Sequence, residues 1–224
     1  YLGRNIHADA QYMHGLLFIG NYADTNCRMF QGKANETVFS GNTIIHSFAL
    51  GSVFDISGGD NIRIAGNMIY GMTDNGAGVS YEIQSGLVLT DVTNVSIDGN
   101  HFKRVNRDLL TVGGLCRNIA FRGNMLKDVC LDNGDTEEGG PYHVVRVVSP
   151  ISSLSVVDNV VDHVEMTVNL PMIGLTATAP IADLVVRDNH LPTFMTVHDL
   201  LMTSSFHHPW PVTPQPALSQ RPNA

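Results

Sequence analysis

Residues 94 to 129 state one phrase twice. Asn94-Val95-Ser96-Ile97-Asp98-Gly99-Asn100-His101-Phe102-Lys103-Arg104-Val105 returns 24 positions later as Asn118-Ile119-Ala120-Phe121-Arg122-Gly123-Asn124-Met125-Leu126-Lys127-Asp128-Val129. Self-similarity at that period indicates stacked units, each burying an apolar face on the next. Val95 and Ile97, like Ile119 and Phe121, are spaced two apart, as in a strand with one buried face. After Gly-Asn the alternation restarts at Phe102 and Leu126, so the chain turns a corner there. No segment carries a capped apolar stripe at helical spacing, which leaves short strands joined by tight corners.

With Gly-Asn or Asp-Asn as the anchor, seven units emerge, at Asn21, Asn42, Asn67, Asn100, Asn124, Asn159 and Asn189. Five positions before the anchors stand Leu16, Thr37, Ile62, Val95, Ile119, Leu154 and Leu184, and three before stand Phe18, Phe39, Ile64, Ile97, Phe121, Val156 and Val186. Two positions after stand Ala23, Ile44, Ile69, Phe102, Leu126, Val161 and Leu191. These columns are expected to stack inside. The corner asparagines are expected to hydrogen-bond from one unit to the next, satisfying amides that a sharp bend would bury unpaired. Further strands are expected at Ser52 to Ile56, Gly86 to Leu89, Leu109 to Val112, Val144 to Val148 and Met172 to Leu175. Their continuous apolar runs imply protein against both faces, either a covering segment or neighbouring subunits.

This alternation of strand, corner and strand resembles the right-handed parallel β-helix of the pectate-lyase-like superfamily, which includes pectinases, alginate epimerases and phage tailspikes. The resemblance rests on the N-h-x-h-x-G-N repeat across residues 16 to 191. It implies an all-β, right-handed parallel β-helix of about seven coils over residues 1–205. A proline-rich extended tail or linker follows over 206–224, where Pro209, Pro211, Pro214, Pro216 and Pro222 forbid regular ladder bonding. The fold alone does not choose a chemistry, because it hosts lyases, hydrolases, epimerases and inert spacers.

The composition narrows the partners. With 43% apolar and 15% charged residues the chain folds, and its formal charge of −8 argues against nucleic acid or an acidic membrane surface. No apolar run approaches the ~18 residues of a membrane span. Cys27, Cys116 and Cys130 form no C-x-x-C and read as buried thiols, as in a reducing cytoplasm. The start at Tyr1 reads as a fragment of something longer. There is no H-E-x-x-H and no G-x-x-x-x-G-K, and His207-His208 falls in the tail, so neither a metal nor a cofactor is expected.

Chemistry is expected at the longest connections, because the core columns tolerate no insertion. The widest anchor intervals, 33 and 35 residues, follow Asn67 and Asn124, with one tight unit between them. Two walls about two strand spacings apart (~9.6 Å) would then flank Asn106-Arg107-Asp108. Sugar hydrolysis needs an acid and a second carboxylate roughly 5–9.5 Å away. Glu82 is read as the acid, with Asp108 or Asp132 as its partner. Asp74, Asp135, Glu137 and Arg107 would bind substrate, and Tyr70, Tyr81 and Tyr142 would stack on sugar faces. The bland account is that these are turn formers and a solvated acidic loop. An outward pair, Asp98 and Arg122, reads as a cross-strand ion pair. A lyase would put calcium ligands and a base on such a face, but the overall negative charge makes a polyuronate substrate awkward, which ranks elimination below hydrolysis.

The resemblance is strongest to a phage tailspike or tail fibre. It implies a homotrimer in the virion, assembled in the host cytoplasm, that binds and further hydrolyses bacterial surface polysaccharide. The alternatives are a secreted bacterial lyase, hydrolase or epimerase, and a non-catalytic spacer or adhesin.

Overall fold

The structure is a computed structural model describing residues 6–25, 28–46, 51–71, 85–131, 142–162, 171–175, 181–191 and 196–198. Cys27 and the expected tail at 206–224 lie outside these residues. Nineteen strands and no helix occur among them.

The corner explains the recurring dipeptide. The residue before each anchor asparagine is left-handed: Gly20, Gly41, Gly66, Gly99 and Gly123 at φ 58–67°, and Asp158 and Asp188 at φ 57–58°. Glycine enters that region freely and aspartate tolerates it. The following asparagine then points inward. Its backbone N–H and its Nδ2 both donate to Oδ1 of the next anchor, at 2.8–3.2 Å from Asn21 through to Asn189. Nδ2 of each later anchor also donates to a carbonyl of the preceding repeat, such as Phe39, Ile64 or Ile97. The expected asparagine ladder is therefore present. It accounts for five asparagines that are at most 1% exposed without leaving a buried amide unpaired.

Six short strands that follow the corners form a six-stranded parallel sheet. In spatial order they are Tyr22–Thr25, Thr43–His46, Met68–Gly71, His101–Val105, Met125–Val129 and Val160–Asp162. The remaining strands form a 13-stranded sheet that divides at Ser52–Ala65. The first half of that strand pairs with Ser85–Thr90, and an arm continues through Leu110–Gly113, Val145–Val147, Pro171–Leu175 and Thr196–His198. Its second half pairs with Val92–Asp98, and a second arm continues through Arg117–Arg122, Ile151–Val157 and Ile181–Arg187. All pairings are parallel, so the described chain is an all-β protein with a curled parallel sheet and a smaller one.

The predicted columns meet in register. Ile62, Val95, Ile119, Leu154 and Leu184 are successive partners, as are Phe39, Ile64, Ile97, Phe121, Val156 and Val186. Phe39 anchors an aromatic cluster, with ring centroids 5.4 Å from Phe30 and 5.0 Å from Phe54. Each fully buried phenylalanine contributes about 1.5–3 kcal/mol. Where the apolar runs begin, two consecutive side chains are buried inside this single chain: Val53, Leu109, Val144 and Met172 are 0% exposed, as are their neighbours Phe54, Leu110, Val145 and Ile173, whereas further along Val88 is half-buried and Val148 is 37% exposed.

Candidate functional site

Register brings the ends of the two long connections to either side of the tight unit. Met68–Gly71, which ends where the first begins, pairs with His101–Val105, and that strand pairs with Met125–Val129, which precedes the second. The strands that receive them, Ser85–Thr90 and Val145–Val147, flank Leu110–Gly113 in the same order. Of the predicted site residues, Tyr70, Arg107, Asp108 and Tyr142 are described. Asp74, Tyr81, Glu82, Asp132, Asp135 and Glu137 lie outside the described residues.

Asp108 is tied into the neighbouring repeat. It is 7% exposed; Oδ1 accepts the His143 backbone N–H at 2.8 Å, and Oδ2 accepts from Arg146 Nη1 at 3.3 Å. The His143 ring lies beside it, with Nδ1 3.8 Å from Oδ1. That ring covers Gly174, where a side chain would collide with it. Arg107 lies over the Tyr142 ring at 5.7 Å, a cation–π contact, and Tyr142 is 5% exposed. This ring is packed rather than presented to a ligand. Asp108, Arg107 and Tyr142 are thus brought together, with His143 and Arg146 added to the group.

Beneath this group lies Cys130, whose thiol is pushed well above its ordinary pKa by burial and then by the Asp108 carboxylate, against a hydrogen bond from the Leu109 backbone. Burial also raises Cys116. Both are free thiols. A thiol held protonated and out of reach is a poor nucleophile. We therefore expect neither to be alkylated by iodoacetamide in the native protein at pH 8, while both react in urea, read by peptide mass. Rapid native labelling of Cys130 would contradict this packing.

A second group sits on the outer face of the six-stranded sheet. Tyr70 Oη meets His101 Nδ1 at 3.1 Å, the two rings edge to face at 5.3 Å. Burial lowers the His101 pKa, and Lys103 and Lys127 lower it further; burial raises that of Tyr70. His101 is therefore neutral at pH 7 and offers one donor and one acceptor. Beside it is an open groove of ≈ 580 Å³ with His101, Met125, Lys127, Val160, Asp162 and His190 on its walls. Lys103 and Lys127 were not among the sequence-predicted residues, though both stand three positions after an anchor in the twin phrase. Reading the outward columns as the inward ones were read would have found them.

The Asp98–Arg122 pair faces across adjacent strands as expected. The ion pair does not form: Asp98 Oδ2 takes the Ser96 hydroxyl, and Oδ1 has no hydrogen-bond partner. The serine two residues away reaches the carboxylate at less entropic cost than a long arginine. Among the described residues no group of three or more His, Cys, Asp or Glu could hold a metal ion, and no helix is long and apolar enough to cross a membrane.

No family model and no curated protein matches the chain. A crystal structure from Parabacteroides merdae ATCC 43184, named a "putative glycosyl hydrolase", aligns over 88% of this chain and 84% of its own at 10% identity, with a TM-score of 0.49. The likeness is distant, and nothing about activity follows from it.

Proposed function

We propose that the repeats wind as a right-handed parallel β-helix and that the chain binds, and hydrolyses, an extended polysaccharide at the connections bracketing residues 106–109. The observation that supports this reading is the register: both long connections depart from and rejoin strands adjacent to the tight unit that carries Asp108. Carboxylates on successive strands fall naturally at the spacing that glycoside hydrolysis uses. In this reading Glu82 and Asp132 supply the acid and its partner. Asp108, with both oxygens engaged, holds the floor through His143 and Arg146.

Incubation with a panel of bacterial surface glycans tests it, reading new reducing ends against unsaturated-product absorbance. Hydrolysis is expected. Glu82→Gln and Asp132→Asn should each lower it by roughly 10²- to 10⁴-fold without loss of binding. Unsaturated product would replace hydrolysis by elimination; binding without cleavage would leave an adhesin; no binding at all overturns the proposal. The tailspike setting and its homotrimer rest on the sequence resemblance, and mass in solution tests them separately: a monomer removes both and leaves glycan binding standing.

A further inference from the structure

The outward columns of the six-stranded sheet are not used by the site at the connections. One runs through Asp24, Ile45, Tyr70, Lys103, Lys127 and Asp162, so that Lys103 and Lys127 stand directly opposite on adjacent strands. Like charges so placed repel. The chain has only 13 Lys and Arg against 21 Asp and Glu, so two neighbouring cations are not a by-product of a basic surface. Asp162 approaches Lys127 at 4.0 Å with both side chains well exposed, which screens the attraction. Lys103 makes no ion pair among the described residues.

The adjoining column gives the face its second character. It runs Met68, His101, Met125, Val160 and His190, so that Met125 and Val160, 51% and 38% exposed, are neighbours with a histidine on either side, and Met68, 43% exposed, lies beyond His101. An apolar strip beside hydrogen-bonding rings and ammonium groups suits a pyranose, which has a C–H face and a polar rim. A monosaccharide is about as long as one strand spacing (~4.8 Å), so a chain of them can follow the column in step.

Resting on the glycan reading above, we infer that the ligand is an acidic polysaccharide, its carboxylates held by Lys103 and Lys127 and its sugar faces by Met125 and Val160. The charge complementarity is local: in a strongly negative molecule Lys127 lines an apolar groove and Lys103 stands opposite it on the next strand. Asp162 limits the pair on one side and Tyr70 on the other.

The test compares polyglucuronate with the same polymer after its carboxylates have been reduced to alcohols, using affinity electrophoresis of the full chain. Polyglucuronate is expected to bind at least tenfold more tightly. Lys103→Gln with Lys127→Gln should abolish that preference while thermal unfolding comes no earlier, since the two charges repel, and Asp162→Asn should tighten binding two- to threefold. Equal binding of the two polymers, or a preference that survives the double variant, overturns the acid-sugar inference and leaves the glycan reading intact. Failure of both polymers overturns the inference, and failure of the whole panel of bacterial surface glycans with them overturns the glycan reading as well. Duplex DNA competing as well as polyglucuronate would reduce the face to a general polyanion patch and also overturn it.

Discussion

Asn100→Ala is expected to lower the free energy of unfolding by roughly 3–5 kcal/mol, against about 1 kcal/mol or less for Asn21→Ala. The two side chains are chemically identical, and their places in the ladder differ. Asn100 is 1% exposed; its Oδ1 accepts from Asn67 N–H and Nδ2, and its own Nδ2 donates to the Ile64 carbonyl and to Asn124 Oδ1. Alanine removes all four bonds and leaves the Asn67 N–H buried without an acceptor. An orphaned buried group costs about 1–3 kcal/mol, and each further lost bond about 0.5–1.5. Asn21 is exposed at the first described corner, and water replaces what its side chain gives up. Urea unfolding of both variants measures the difference, and hydrogen exchange at the Asn67 amide localises it. A loss below 1 kcal/mol for Asn100→Ala would show that the ladder follows the stack without holding it.

The same residue shows why the fold was legible. A corner that needs φ near +60° accepts little but glycine, asparagine or aspartate, so the geometry writes itself into the sequence as Gly-Asn or Asp-Asn. The inward columns are legible for a similar reason. A position with little access to water takes an apolar side chain unless a hydrogen bond satisfies a polar one, as Asn35 does for Thr37, and such positions recurring in phase form a pattern. Even the first residue of the twin phrase has a role: Asn61, Asn94 and Asn118 are all left-handed at φ 53–57°. Asn118 Nδ2 donates to Asn94 Oδ1, and Asn94 Nδ2 donates to Asp60.

The site was less legible because outward positions carry no such constraint. Lys103 and Lys127 share a column with Ile45 and Asp162, and a column of mixed chemistry does not announce itself. Tyr142 illustrates the opposite error. An aromatic beside a long acidic connection reads as a sugar platform, yet it is 5% exposed and covered by Arg107. Sequence spacing placed both residues in the right neighbourhood and gave no information on which way the Tyr142 ring would turn. The continuous apolar runs were ambiguous between a subunit interface and interior packing. The starts of the runs, Val53-Phe54, Leu109-Leu110 and Val144-Val145, are packed in the interior, while the outward Val148 stays 37% exposed.

Gly59→Ala is expected to be at least as damaging as Asn100→Ala, at about 4 kcal/mol or more, for a different reason. Ser52–Ala65 must bend in its middle to serve both arms of the large sheet, and Gly58 and Gly59 make that bend at φ 140° and 135°. This region is open to glycine and essentially closed to other residues. A Cβ at Gly59 would also overlap the Ala34 carbonyl of the neighbouring strand, a rigid backbone group that cannot rotate away. Gly123→Ala is the control. It too has a positive φ, of 58°, but nothing lies within 4 Å of the added carbon, so only conformational strain of about 1–2 kcal/mol is expected. Thermal unfolding of the pair separates the two costs. If Gly59→Ala unfolded no earlier than Gly123→Ala, the backbones could not be in contact at the bend. The division of the sheet into two arms, on which the alignment of the long connections depends, would then lie elsewhere in the chain.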